Sequence, residues 1–271
     1  MERSNNVAIH PLAIVDPKAE IERDVTIGPW CHIGPDVKIG SGTVLTHGVT
    51  VTNHTIIGKN NEIGIGTSLG GNPQDFKYKG GPTRLEIGDE NVFREYVTVN
   101  IGTEKGGGVT RIGSANFLMA CCHVAHDCNV HNHAVIPNGV LLGGHVEVED
   151  GVVFGGNTAV HHFTTIGKLA FIGGLTAVRH DVPPFMLFEG HPGEVLTINT
   201  VGLKRNGFSA ERIKALKFAY RVLYRESKTH TEAFKRLRES EYFNPDIEYL
   251  ISFISKTDAG VLGRAHQPPR R

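Results

Sequence analysis

Two histidines, an aspartate and three cysteines crowd into the stretch Cys121–Cys128, C-C-H-V-A-H-D-C. His123 and His126 are three apart, and Asp127 adjoins the second. Imidazole is the side chain that titrates nearest neutrality, so it can serve as general base, and a neighbouring carboxylate can orient it. The same residue types also bind metals, and spacing has to decide between the two. The four cysteines, Cys31, Cys121, Cys122 and Cys128, form no C-x-x-C pair and no zinc spacing. A reduced, intracellular protein is the simplest reading of them.

The elements that must position this stretch follow a period of six. Stepping from Ile9 by six meets only aliphatic residues as far as Leu69. The phase resumes at Ile87, Phe93 and Val99, then runs from Ile112 through Val124, Leu142 and Val160 to Val178. Helices recur at about 3.6 and strands at 2, so neither simple period explains the pattern. Six residues per step, often with glycine after the aliphatic position, describe a short strand and a tight corner. Three steps close a coil of 18 residues, and coils stack at about 4.8 Å with aliphatic ladders inside. The expected fold is mainly β: a parallel β-helix of hexapeptide repeats over residues 1–190, left-handed by resemblance to known hexapeptide proteins.

Polar, glycine-rich segments near 70–86 and 100–111 interrupt the repeat, and insertions in a solenoid leave as surface loops that commonly build sites. Asp75 and Lys77 mark the first as functional. Asp181-Val182-Pro183-Pro184 ends the repeat, and residues 191–271 are expected to form a helical domain. Ser209 reads as an N-cap ahead of an apolar stripe at Ile213, Leu216, Tyr220 and Leu223. A second helix is expected near Thr231, and a third at Asn244-Pro245. Lys214, Lys217, Arg221, Arg225 and Lys228 form a basic stripe beside the apolar one.

The 18-residue coil also predicts which residues meet. His126, Gly144 and His162 share a column, and Asp127 stacks under His145. A glycine corner beside imidazoles can offer backbone N–H groups to an oxyanion. Acyl transfer from a thioester to a hydroxyl needs that combination. The metal-dependent anhydrases of this fold need two histidines five apart in a set register. His126 and His131 have the spacing, but Cys121 stands where the earlier histidine is required, so no metal is expected.

The chain has formal net charge +0, unevenly distributed: residues 201–271 hold 15 Lys+Arg and 8 Asp+Glu, leaving 13 and 20 for the rest. An acidic partner would meet the C-terminal part. The N-terminal residues lack a signal-peptide order, and no apolar run reaches the ~18 residues of a membrane span. A soluble, cytoplasmic protein follows, with no transmembrane segment and no sign of a nucleic-acid partner.

Over nearly its whole length the chain resembles the UDP-N-acetylglucosamine acyltransferases that open lipid A biosynthesis. The likeness is carried by I-G-P-W-C-H-I-G-P at Ile27, N-P-Q-D-F-K-Y at Asn72 and G-G-G-V-T at Gly106. It continues with H-V-A-H-D-C at His123, G-G-H-V at Gly143, A-V-H-H-F at Ala159, D-V-P-P at Asp181 and G-L-K-R-N-G-F-S at Gly202. The resemblance implies a homotrimer with sites between prisms. It implies no cofactor, only an acyl carrier protein thioester as co-substrate, and transfer of a 3-hydroxyacyl chain to the glucosamine 3-position of the UDP-sugar. His126 would be the base, Asp127 its support and Gly144 the oxyanion donor. His123, Asp75 and Lys77 would hold sugar and phosphates, His145, His161 and His162 would line the cleft, and Asn199 and Arg205 would reach the nucleotide. Gly174 falls at the family's acyl-length gauge and leaves room for a hydroxymyristoyl-like chain. The basic stripe Lys214, Lys217, Arg221, Arg225 and Lys228 would steer the acidic carrier protein.

Five positions depart from the family pattern: Asn100 for histidine, His162 for glutamine, Val201 for glutamate, Asn206 for arginine and Pro192 for histidine. None touches the expected base. Val201 and Asn206 bear on how uridine is held, Asn100 and His162 on the choice between a 3-hydroxy and a 3-amino sugar.

Overall fold

A computed structural model describes residues 7–263. Short strands separated by two-residue corners wind into a left-handed parallel β-helix with three faces. Face 1 has eleven strands, from Ala8–Ile9 to Gly193–Ile198; face 2 has nine, from Ile14–Val15 to Ala177–Val178; face 3 has eight, from Glu20–Ile21 to Thr165–Ile166. Within each two-residue strand one side chain points in and one out, because successive Cβ atoms alternate across a strand.

The inward residues are the sequence's sixfold aliphatics, stacked in register: Val124 pairs with Leu142, and Leu142 with Val160. From Ile27 onward these rungs are sealed, with Val124, Leu142 and Val148 all at 0% exposure. The first coil is different: Ile9 is 45% exposed and Leu12 53%. A second ladder of buried amides runs up the corner between faces 3 and 1. The Asn61 carbonyl accepts from the backbone and side-chain N–H of Asn91 at 2.9 and 3.0 Å, and Asn91 in turn accepts from Asn116 N–H at 2.9 Å.

Those asparagines are separated by 30 and then 25 residues rather than 18. The surplus leaves elsewhere, at the corner between faces 2 and 3. One loop connects Ser68–Gly71 to Arg84–Ile87, and the other connects Thr98–Asn100 to Val109–Ile112. The prism therefore stays in register while both insertions emerge side by side on one edge.

After face 1 closes with the antiparallel hairpin Met186–Gly190/Gly193–Ile198, four helices follow. They are α1 (Thr200–Arg205), α2 (Ala210–Arg221), α3 (His230–Arg238) and α4 (Pro245–Asp258), with a π-helical turn, Val222–Glu226, extending α2. Ser209 and Asn244 cap α2 and α4 as their sequence positions predict, and Thr229 caps α3. Ile213, Leu216, Leu223, Leu237 and Leu250 form a second core. Tyr249 ties it to the prism, donating its hydroxyl to Glu149 at 2.8 Å beneath the Lys168 ammonium. No described helix is long and apolar enough to cross a membrane.

Because Leu142 is a sealed rung with partners above and below, Leu142→Ala should leave a cavity that neighbouring coils cannot collapse. A loss of about 2–5 kcal/mol is expected, read by reversible denaturant unfolding against wild type.

Candidate active site

The corner between faces 2 and 3 that follows Val124 carries His126 and Asp127, directly above the two loops. The Asp127 side chain is 0% exposed, and a buried carboxylate must be compensated by hydrogen bonds. Thr103 in the second loop supplies two: its N–H donates to Oδ1 at 2.8 Å and its hydroxyl to Oδ2 at 2.6 Å. His126 Nδ1 lies 2.8 Å from Oδ2, and His145 Nε2 lies 3.6 Å from the same oxygen. The loop can close this tightly only because Gly106 backs onto the carboxylate; a Cβ there would fall 2.2 Å from Oδ2. Burial would raise the Asp127 carboxyl, but the bonds from His126 and Thr103 outweigh it and hold the group below the usual carboxylate range.

An ionised Asp127 only accepts, so the proton of that bond sits on His126 Nδ1. Nε2 is then the lone-pair nitrogen, on a ring 14% exposed and close against Gly144. A Cβ at Gly144 would stand 2.6 Å from His126 Cε1 and 2.8 Å from Nε2, which is why the position is glycine. The Gly144 carbonyl accepts from Phe163 N–H, while its own N–H makes no intramolecular bond among the described residues. An imidazole lone pair and an open amide thus stand together at the surface.

The remaining expected residues divide into two groups. His123 projects from face 2, its Nδ1 bonded to the Thr98 hydroxyl at 2.8 Å, and burial with the nearby His126 charge lowers its pKa. Burial likewise lowers that of His145, Asp127 partly countering. The His161 and His162 rings adjoin one coil above Gly144, their centroids 3.8 Å apart and planes tilted by 38°. Asp75 acts electrostatically on His145 from the first loop, its carboxylate capping Lys77 N–H at 2.9 Å. Lys77 itself is exposed. All these lie around one edge of the prism.

Gly174 sits at the corner between faces 1 and 2, where a Cβ would make only ordinary contact with Gly156 at 3.6 Å, so its own coil does not require glycine. Asn199 is 6% exposed and caps α1, accepting from Gly202 N–H and donating to Leu169 at the corner between faces 3 and 1. Its amide thus makes one bond at each end within the protomer. Arg205 is exposed at the end of α1 on that side. Within one protomer neither Gly174 nor Arg205 shares the corner that holds His126. Of the departures, Asn100 is buried with its carbonyl oxygen unpartnered, and Asn206 closes α1 by donating to Gly202.

Lys214, Lys217, Arg221 and Arg225 are exposed along α2 and its extension, and Lys228 is exposed just beyond it. Arg221 is paired with Glu226 at 2.7 Å, and Arg225 donates to the Tyr220 hydroxyl at 2.9 Å. Sequence reading missed Thr103, which nothing in a polar loop distinguishes. It also missed Phe163, whose ring stacks on His145 at 4.2 Å and which one further step of 18 would have found. His126, Asp127 and His145 place three ligand atoms within 4.8 Å of one another. The Asp127 oxygens already accept three hydrogen bonds from Thr103 and His126. The cysteines are free; burial pushes Cys122 up to about 11 and Cys128 up to about 12.

A stacked-coil scaffold with an imidazole–carboxylate pair beside an open glycine amide defines the hexapeptide acyltransferases as a class. Residues 18–53 match the bacterial transferase hexapeptide family, and residues 181–262 match the second domain of UDP N-acetylglucosamine O-acyltransferase. The acyl-[acyl-carrier-protein]–UDP-N-acetylglucosamine O-acyltransferase of Alkalilimnicola ehrlichii is 47% identical over 94% of this chain and 98% of its own. That of Paracidovorax citrulli is 50% identical at the same coverage. Among solved structures, LpxA from Acinetobacter baumannii superposes with a TM-score of 0.88 at 41% identity, over 92% of this chain and 97% of its own. The Francisella novicida UDP-N-acetylglucosamine acyltransferase gives 0.88 at 36%, over 97% and 99%. The chain belongs to the acyl-[acyl-carrier-protein]–UDP-N-acetylglucosamine O-acyltransferase family.

The depressed Asp127 carboxyl stabilises the fold above its unfolded pKa, about 3.9, and that contribution is lost as pH falls through the lower folded value. Wild type should therefore melt higher than Asp127→Asn near neutrality, and the gap should narrow below about pH 4. Melting curves of both proteins across pH measure it.

Proposed function

We propose that this O-acyltransferase moves a 3-hydroxyacyl chain from acyl carrier protein to the 3-position of the glucosamine of UDP-N-acetylglucosamine, the first step of lipid A biosynthesis, in the cytoplasm. His126 is its general base. The observation that carries the mechanism is the 2.8 Å bond from His126 Nδ1 to the enclosed Asp127, which leaves Nε2 as the proton acceptor. Nε2 takes the sugar hydroxyl proton as that oxygen attacks the thioester carbonyl. The tetrahedral oxyanion accepts from the Gly144 amide. Collapse expels the carrier thiolate, which recovers the proton from His126. No metal or cofactor enters the cycle. His123, Asp75 and Lys77 hold the acceptor, and His145, His161 and His162 line its cleft.

The active unit is a homotrimer in this reading. Face 1 presents an outward ladder of Val92, Phe117, Val135, Val153 and Phe171. Face 2 presents Leu141, Ala159 and Ala177 above His123. Face 3 is polar, with Glu86, Arg111, Asn129 and Glu147. Two unlike apolar faces meeting make a heterologous contact that closes into a ring. That contact would carry the Gly174 corner and Arg205 of a second copy towards the His126 edge, completing the acyl and nucleotide subsites.

The test is an assay of wild type and His126→Ala with 3-hydroxyacyl carrier proteins and UDP-N-acetylglucosamine. A fall in kcat of about 10²–10⁴ is expected for the variant. Wild type without transfer, or a fully active His126→Ala, overturns the reading.

The exposed cations of α2 face an acidic carrier protein. kcat/KM should fall with added salt, and Lys217→Glu and Arg221→Glu should each lower it, since Arg221 shares the Glu226 carboxylate with Arg236 and keeps the patch cationic. A salt-independent kcat/KM unchanged by both reversals removes the docking role.

A further inference from the structure

The column that carries Asp127 and His145 has a third member. Asp127, His145 and Phe163 occupy the same corner position in successive coils, with φ of 60°, 61° and 64°. His145 N–H donates to the His126 carbonyl at 3.0 Å, and Phe163 N–H to the Gly144 carbonyl at 2.9 Å. This register lays the Phe163 ring face to face on the His145 imidazole, centroids 4.2 Å apart and planes 4° from parallel. On its other side the same imidazole meets His126 edge-on, at 5.3 Å and 90°.

We infer that Phe163 is a positioning residue for the base, acting through His145. The inference rests on the acyl-transfer reading above. Two imidazoles face one oxygen: His126 Nδ1 is 2.8 Å from Asp127 Oδ2, and His145 Nε2 is 3.6 Å from it. Oδ2 already accepts from the Thr103 hydroxyl at 2.6 Å. A rotation of the His145 ring closes the longer gap, and a second imidazole on that oxygen competes with His126 for it. The flat contact with Phe163 blocks that rotation. An aromatic ring does this better than an aliphatic chain of equal bulk, since stacking fixes the plane.

The prism has no need of an aromatic here. Positive φ favours glycine or asparagine, and the matching places at the other two corners of nearby coils hold Gly139, Gly151 and Asn157 but also His133, Leu169 and Leu175, none of them aromatic except that imidazole. The Phe163 ring is half-buried and lies outside the aliphatic core. The groups facing His145 are His126, Asp127 and, from the first loop, Asp75. His162 meets Phe163 edge-on at 5.6 Å.

The test compares Phe163→Gly, Phe163→Leu and Phe163→Tyr with wild type in pH–rate profiles and melting curves. Phe163→Gly, whose backbone suits the corner, should melt within a few degrees of wild type. Its kcat should fall by about 10- to 100-fold with a smaller change in KM, and the acidic limb of its kcat profile should move. Phe163→Tyr should restore both rate and profile. Phe163→Leu, which keeps apolar bulk without a plane, should resemble the glycine variant and covers the case in which Phe163→Gly fails to fold. Wild-type kcat and profile in both the glycine and leucine variants, or no rescue by tyrosine, overturns the inference. The His126 and His145 ring resonances, followed by NMR titration, should shift in Phe163→Leu but not in Phe163→Tyr. That readout needs no turnover, so it stands apart from a wild type that fails to transfer.

Discussion

Asp127 is a charge with no access to water, and the rest of the site is arranged around keeping it there. Removing a carboxylate from solvent costs several kcal/mol unless donors replace the lost hydration. Here they come from two levels of the chain, Thr103 from the loop one coil below and His126 from the same corner, while the His145 imidazole on the coil above stands 3.6 Å off. Because each donor lies on a different coil, the stack must be in register before the carboxylate can be buried. The orientation of His126 is a consequence of that burial. The imidazole is held by a partner that has nowhere else to go.

The two insertions take their meaning from the same fact. They leave the prism at the only edge where a loop can reach Asp127 from below, while the asparagine ladder on another edge carries the register past them. Gly106 and Gly144 are both required by close approach, one to the carboxylate and one to the imidazole. Neither has positive φ, so their function is to be thin rather than to bend.

Most of the scaffold was legible because a solenoid repeats one decision many times. A sixfold aliphatic pattern is redundant enough to fix coil length, inward face and the columns, and from those the meeting of His126 with Gly144 and of Asp127 with His145. Helix caps at Ser209 and Asn244 were legible for a different reason, since capping chemistry is local. What repetition does not encode stayed hidden. Thr103 reaches Asp127 through an irregular loop whose path no period describes. Asn199 also caps α1, a role its sequence position did not announce. That Gly174 lies on another corner than His126 was implicit in the 18-residue coil, since it stands 30 residues beyond Gly144; the place of Arg205, beyond the repeat, was not.

Contacts in a solenoid run only between neighbouring coils, so stability is distributed along the axis instead of being shared by the whole. The first coil is the thinnest part of that distribution, with Ile9 and Leu12 half open to solvent. Local opening should begin there and stop before the coils that hold Thr103 and His126, each of which has a complete coil on either side. The catalytic corner thus occupies the interior of a one-dimensional lattice. Its geometry can outlast partial unfolding of the end, an insulation that a single-core globular enzyme of this size does not have.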